Sequence, residues 1–291
     1  MSRTRRVLAA LLAAMTILAA AGWSAAAQSG YLGFDRNSYP GDAALPSLRK
    51  TFSYTSYWLN SPPGESHNTW EGKRALLLRK GFGFLVLFNG RLDAELKGKD
   101  AAALGRADGE QAVAAAAREG FPRQVRIFLD QEEGGRLLAE QAAYLLAWID
   151  AVRARGARAG VYCSGIEVAE GRGTISTARD LAQRLAAREP SPQTKRRPAE
   201  AVAIWVANDA CPPSPGCTVK APPLGSLHLS LRPAFVSVWQ YAQSPRRQEF
   251  SAACPHNQAA DGNCYAPGLP PGANSFVDLD AAESADPSEQ P

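Results

Sequence analysis

Along the chain, short runs rich in β-branched and aromatic residues alternate with longer stretches in which apolar side chains return every three or four positions. Eight strand-like runs can be marked, at 31–35, 52–60, 82–89, 126–132, 158–164, 202–208, 235–241 and 276–280. The helical period is clearest at 108–119, 136–155 and 174–188; in the second of these, Leu137, Leu138, Tyr144, Leu145, Trp148, Ile149 and Val152 share one helix face. Shorter helix candidates follow the first two strands. The stretch 242–275 is rich in Pro, Gly and Asn and predicts an irregular loop where a regular barrel would carry a helix. Eight strands, mostly alternating with helices over roughly 250 residues, match an α/β fold of the single (β/α)8 TIM-type barrel kind. A doubly wound open sheet would alternate in much the same way, so the count alone does not separate the two. With no internal repeat and no domain boundary, the barrel is expected to span 28–282, and the Pro/Glu/Ser-rich end, 283–291, to be a frayed tail.

Residues 1–27 change what the charge means. Arg3, Arg5 and Arg6 precede an uncharged apolar run over 7–21, and Ala25, Ala26 and Ala27 offer a cleavage point, which is the pattern of a secretory signal peptide. The apolar run is too short and Ala-rich for a membrane span, and no stable span is expected after cleavage. Thr4, Arg5, Arg6, Val7 and Leu8 resemble a twin-arginine signal; the general secretory and twin-arginine routes both stay open. Of the 32 basic residues three leave with the signal, and 29 remain against 28 acidic ones. The exported chain is therefore close to neutral, which gives no support for a nucleic-acid partner; Lys195, Arg196 and Arg197 read as a solvated loop.

Five cysteines in an exported chain are disulfide candidates. Cys211 with Cys217, and Cys254 with Cys264, form the simplest local pairs and would staple loops after the sixth and seventh strands, at the active face. Cys163 is left over in the apolar run 159–163 and reads as a buried free thiol. Zinc is not expected, because no cysteine spacing is C-x-x-C and His67, His228 and His256 are scattered.

In a TIM barrel the working side chains sit at the carboxyl ends of the strands, and here several strands end in polar or aromatic groups. Asp35 ends the first. Asp130 and Glu132 end the fourth, two apart and so on one face, with Cα atoms roughly 6.6 Å apart. Like charges that close push one pKa upward, and a glycosidase needs one carboxyl protonated and another ionised; an exposed acidic turn at a helix N-terminus is the competing reading of this motif alone. Later strands carry Tyr162, Trp205, Trp239 with Tyr241, and Asp278 with Asp280.

Taken in order, Gly33-Phe34-Asp35, Asp130-Gln131-Glu132, Val161-Tyr162-Cys163-Ser164, Ile204-Trp205-Val206-Ala207, Val238-Trp239-Gln240-Tyr241 and Val277-Asp278-Leu279 resemble the motif series of family 25 glycoside hydrolases, the lysozyme-type muramidases. With Ser56-Tyr57-Trp58-Leu59 on the second strand, the opening is more similar still to a related group, the glycoside-hydrolase-like domains of secreted bacterial proteins. The resemblance implies Glu132 as general acid and Asp130 as nucleophile or as the carboxylate that orients a substrate N-acetyl group. It implies Asp35 and Asp278 lining the site, with Tyr162, Trp205, Trp239 and Tyr241 as substrate-binding faces. The implied function is hydrolysis of β-linked amino-sugar glycan of the cell wall by an exported monomer; the alternative is a barrel that grips such glycan without cleaving it. No cofactor is implied, and a metal could be held only by Asp35, Asp130, Glu132 and Asp278.

Other classes fail on the residues. A chitinase of family 18 would place two further aspartates upstream of the D-x-E, where Val125 and Phe128 stand. Ser164 lacks the flanking glycines of a G-x-S-x-G elbow, and Gly33 opens no dinucleotide fingerprint. The Glu132-Glu133 doublet departs from family 25, and strand alternation favours Glu132 as the inward member.

Overall fold

The computed structural model describes residues 30–188, 201–208, 222–227, 236–243 and 277–289. Eight strands form one closed barrel: β1 (Tyr31–Asp35), β2 (Tyr54–Trp58), β3 (Gly83–Asn89), β4 (Arg126–Gln131), β5 (Arg158–Ser164), β6 (Ala203–Ala207), β7 (Val236–Ala242) and β8 (Asp278–Ala282). Neighbours run in sequence order, and β8 closes the ring between β7 and β1. The central strands are nearly continuous apolar runs, as expected of strands covered on both faces.

The six pairings from β1 to β7 follow the parallel pattern, but β8 is antiparallel to both β7 and β1. The expectation of a regular (β/α)8 barrel is corrected at this strand. A parallel strand needs a crossover to the other end of the sheet, whereas the chain leaves β7 and enters β8 at the same end. The segment between them, read as an irregular loop from its Pro, Gly and Asn content, therefore has no crossover to make. β8 also lies two residues along from the expected 276–280, so that Asp278 begins it.

The helices α1 (Leu45–Arg49), α2 (Arg74–Arg79), α3 (Asp93–Leu96), α4 (Ala101–Arg118), α5 (Ala139–Ala154) and α6 (Thr177–Arg188) cover the outside. A small hairpin, Val168–Glu170 with Gly173–Ile175, projects beyond β5. Helix α4 begins seven residues before the expected 108, where Asp100 caps it by accepting the Ala103 amide at 2.9 Å. Gly105 weakened the helical signal and is also what the packing requires: a Cβ there would lie 2.2 Å from the Tyr144 carbonyl oxygen of α5. No helix among the described residues is long and apolar enough to cross a membrane.

Residues 283–289 are not frayed. Ser288 is fully buried, its backbone N–H donating to Phe84 O at 3.0 Å and its Oγ accepting from the Val86 N–H at 2.9 Å. Its carbonyl accepts from the Arg126 N–H and from Arg158 Nη2, both at 2.8 Å, while Glu289 pairs with Arg74 at 2.8 Å. The ladder between β3 and β4 begins only at Val86 and Ile127, so the strand starts below it need partners, and this strap supplies them. Polar composition is a solvated tail by itself and a set of donors and acceptors when the barrel offers unpaired backbone. Residues 1–27, read above as a signal, the tail end at 290–291 and four of the cysteines, Cys211, Cys217, Cys254 and Cys264, lie outside the described residues. Cys163 is free and buried, its thiol pKa pushed up to about 12 by burial.

Replacing Gly105 with Ala is expected to destabilise the protein by about 1–3 kcal/mol, read as the urea midpoint, because overpacking against backbone outweighs the roughly 1 kcal/mol gained in helix propensity. An unchanged or raised midpoint would show that the two helices can separate freely.

Candidate functional site

A cleft of about 280 Å³ opens at the carboxyl ends of β1 to β7. Six of the eight residues singled out from the sequence line it: Asp35, Asp130, Glu132, Tyr162, Trp205 and Asp278. Register explains their convergence. Asp130 on β4, Tyr162 on β5 and Trp205 on β6 are consecutive Cα partners across three parallel strands, and Asp35 on β1 faces Asp278 on β8. The reversed β8 thus presents its first residues to the same mouth where other strands present their last. Gly33, two residues before Asp35, makes room for the Tyr54 ring, which lies 1.9 Å from where a Cβ would stand.

Trp239 and Tyr241 do not line the cleft. Both are nearly buried, with ring centroids 6.1 Å apart and the Trp239 indole donating to Asn208 O at 2.6 Å. Alternation along β7 gives the cleft-facing place to the residue between them, Gln240. Trp205 lines the cleft but only 1% of it is exposed, and its ring packs edge-on against Tyr162 at 4.7 Å and Phe128 at 5.9 Å. It is floor more than platform. Trp58, at the end of β2, also lines the cleft, its indole donating to Arg36 O at 3.0 Å.

The ambiguity of the glutamate doublet is resolved by hydrogen bonding. Glu133 turns away and accepts from the Asp93 N–H at 2.8 Å and from Gln141 Nε2, which ties the end of β4 to the starts of α3 and α5. Glu132 is left to the cleft, exposed at its mouth.

Asp130 lies beneath Glu132, 3% exposed, and no protein N–H or O–H among the described residues reaches either of its carboxylate oxygens. A buried ionised carboxylate without donors is costly, and the group takes a proton instead. Burial, then the charges of Glu132 and Asp35, hold the Asp130 pKa well above the usual carboxylate range; although Glu132 is open at the mouth, the cleft walls around its carboxyl exclude water and raise its pKa too, against the opposing hydrogen bond from Asp130. Of the two carboxyls, the buried Asp130 is the one pushed further toward its protonated form.

A second carboxyl pair stands across the floor. Asp280, fully buried, accepts from the Trp205 indole at 3.0 Å on Oδ1 and has no donor on Oδ2. Burial first, then Asp35, raises its pKa strongly, and the two carboxyls are hydrogen-bonded to each other. Asp35 in turn accepts from Gln240 Nε2 at 2.8 Å, and Gln240 Oε1 accepts from the Tyr162 hydroxyl at 2.9 Å. Burial and the surrounding carboxyls Asp35, Asp130, Glu132 and Asp278 keep Tyr162 a neutral donor. Asp280 and Gln240 stood in the strand-end motifs read from the sequence but were given no place in the site. Asp280 stands two residues inside Asp278, a position that seems internal only once β8 is known to run downward; the period-two signal for Gln240 was present but outweighed by its aromatic neighbours. Among the described residues no three carboxylate, histidine or cysteine side chains are arranged to hold a metal ion.

The native protein keeps a proton on Asp280 at pH values where the unfolded chain, with an aspartate pKa of about 3.9, has released it. Stability therefore falls as pH rises from about 4 toward the folded pKa, by up to about 1.4 kcal/mol per pH unit for this group. Asp280→Asn keeps the acceptor for Trp205 and should remove that share of the slope in urea titrations run across pH; an unchanged slope would place the proton elsewhere.

The family model of the Rv2525c-like glycoside hydrolase-like domain matches residues 57–220, more than half of the chain. No curated protein sequence matches it. Among solved structures, an uncharacterised B. stearothermophilus protein is 20% identical with a TM-score of 0.56, over 87% of this chain and 96% of that one, and shares the barrel fold. The Tat-secreted protein Rv2525c of Mycobacterium tuberculosis is 12% identical with a TM-score of 0.48, over 87% and 95%. The catalytic domain of endolysin ply40 from bacteriophage P40 of Listeria monocytogenes is 14% identical with a TM-score of 0.48, over 88% and 95%. By its match to the family model, the chain belongs to the Rv2525c-like, glycoside hydrolase-like domain family.

Proposed function

We propose that this protein is an exported glycosidase that hydrolyses β-linked amino-sugar glycan of the bacterial cell wall. The observation that carries the reading is the Asp130–Glu132 pair: two carboxyls with raised pKa values, one buried in the floor and one open to the cleft. In the unliganded pair a proton rests on Asp130. Moved across to Glu132, it reaches the glycosidic oxygen, and the bond from that oxygen to the anomeric carbon breaks as the proton is delivered. Asp130, now charged, faces the oxocarbenium ion or the substrate acetamido group. A water adds to the anomeric carbon and its proton returns to the pair.

The rest of the cleft suits this chemistry. Tyr162, fixed by Gln240 and kept neutral, is a donor to a sugar hydroxyl or carbonyl. Asp35, which lines the cleft opposite Asp130, brings a further carboxyl toward the reacting ring and so favours cationic character there. The signal-like segment 1–27 supports delivery to the compartment where such glycan lies. Trp239 and Tyr241 are assigned no contact with substrate.

Purified peptidoglycan incubated with the full chain should release soluble muropeptides detectable by mass spectrometry. Glu132→Gln is expected to lower the rate about 10²–10⁴-fold, the usual scale for a general acid, while still pulling down the polymer. Absence of release by the native protein, with polymer binding intact, would make the barrel a glycan-binding one.

The raised pKa of the pair carries a second expectation. Activity should persist above the usual carboxylate range and fade as the pair's proton is lost. Asp130→Asn removes the like charge and offers Glu132 a permanent donor, so the alkaline limb of any residual activity should move to lower pH; an alkaline limb that stays in place would dissociate Asp130 from the acid's pKa.

A further inference from the structure

A second pocket, of about 160 Å³, lies on the other side of Glu132. Pro63 from the loop after β2, Asn89, Arg91 and Leu92 from the end of β3, and Glu95 of α3 bound it, and Asp130 and Glu132 line both this pocket and the main cleft. The carboxyl pair is thus a partition between two cavities. A ligand long enough to occupy both passes its middle over Glu132.

The pocket's chemistry is specific. Arg91 is gripped by the buried Asp108 through Nε at 2.6 Å and Nη2 at 2.9 Å, and Asp108 is fixed in turn by the Tyr144 hydroxyl at 2.9 Å. That fork consumes one side of the guanidinium and leaves Nη1 as a pre-oriented donor. Asn89 spends its Nδ2 on Ser61 O, and Glu95 spends Oε2 on the Leu92 N–H, so Asn89 Oδ1 and Glu95 Oε1 remain as acceptors for a ligand. Leu92, 46% exposed, gives an apolar wall. Electrically the pocket disfavours an anion, since Asp108 already compensates Arg91 while Glu95 and the carboxyl pair remain.

From this we infer that the Arg91 pocket is a second saccharide subsite, one that takes an uncharged sugar ring joined through the bond held over Glu132. A donor, two acceptors and one apolar surface in a small concavity are what a neutral ring with several hydroxyls uses. Pre-organisation by Asp108 and Tyr144 makes the contact one of geometry more than charge, so lysine cannot replace the arginine fork. The inference rests on the glycan reading above and extends it, because the reacting bond then has a recognised unit on each side.

The test uses the full chain carrying Glu132→Gln, to prevent turnover, with two neutral probes, the β-1,4-linked N-acetylglucosamine dimer and tetramer, in calorimetric titrations. The tetramer should bind at least tenfold more tightly than the dimer. Arg91→Lys, which keeps a cation beside Asp108 and so protects the fold, and Leu92→Ala, at an exposed position, should each erase most of that advantage and leave dimer binding unchanged. A tetramer preference untouched by both substitutions would overturn the second subsite while leaving the glycan reading standing. Failure of the chain to bind either probe, with no retention on peptidoglycan, would remove the glycan reading and the subsite together; retention on peptidoglycan without binding of the tetramer would overturn the subsite alone.

Discussion

The carboxyl groups at the floor of the cleft cannot all be ionised at once, and much of the barrel's mouth is arranged around that constraint. Asp130 and Asp280 are both buried, and each has at least one oxygen that no donor reaches. Full ionisation would leave like charges facing one another in a poorly solvated space. Burial therefore pushes both Asp130 and Asp280 toward their protonated forms. The indole of Trp205, the amide of Gln240 and the hydroxyl of Tyr162 then distribute neutral hydrogen bonds over what remains. Aromatic residues here serve less as surfaces than as donors with bulk, filling the barrel while satisfying the acids.

What was legible in the sequence follows from where the local signal was undistorted. Asp130, Tyr162 and Trp205 lie in register on ordinary parallel strands and Glu132 just past the end of β4, so position along the strand and alternation across it were enough to bring them together. Glu132 was separable from Glu133 by parity alone, although only the structure gives Glu133 an occupation of its own. The failures sit where topology or tertiary contact overrules local pattern. A strand running the other way looks the same from within, so Asp280 passed as a strand end instead of a buried partner for Asp35. Trp239 and Tyr241 were chosen for their chemistry against the parity that favoured Gln240. Gly105 lowered a propensity that packing against Tyr144 restores with interest.

The same contrast holds for the strap. Its Pro, Glu and Ser content is that of a solvated tail, and nothing within 283–289 announces that Ser288 has a place under β3 and β4. The need is on the other side, in backbone groups of Phe84, Val86 and Arg126 that the barrel's own ladder does not reach. Segments of this sort are invisible to periodicity because they have no period. They can be foreseen only by asking which backbone groups would otherwise go unpaired.

The order in which this barrel's parts occur along the chain bears on how it is made. Strands β1 to β7 can pair in sequence, yet the sheet they form has two bare edges, β1 and β7, and both wait for β8. The strap that seals the opposite end comes later still. A chain supplied from its N-terminus therefore holds an open, largely apolar sheet until residues 278–289 arrive, and during that interval the exposed edges can pair with other chains as readily as with their own last strand. The long segment joining β7 to β8 lengthens the loop that must close before the edges vanish. Whatever keeps the unfinished chain from its neighbours during that wait is as necessary to the protein as any side chain in the cleft.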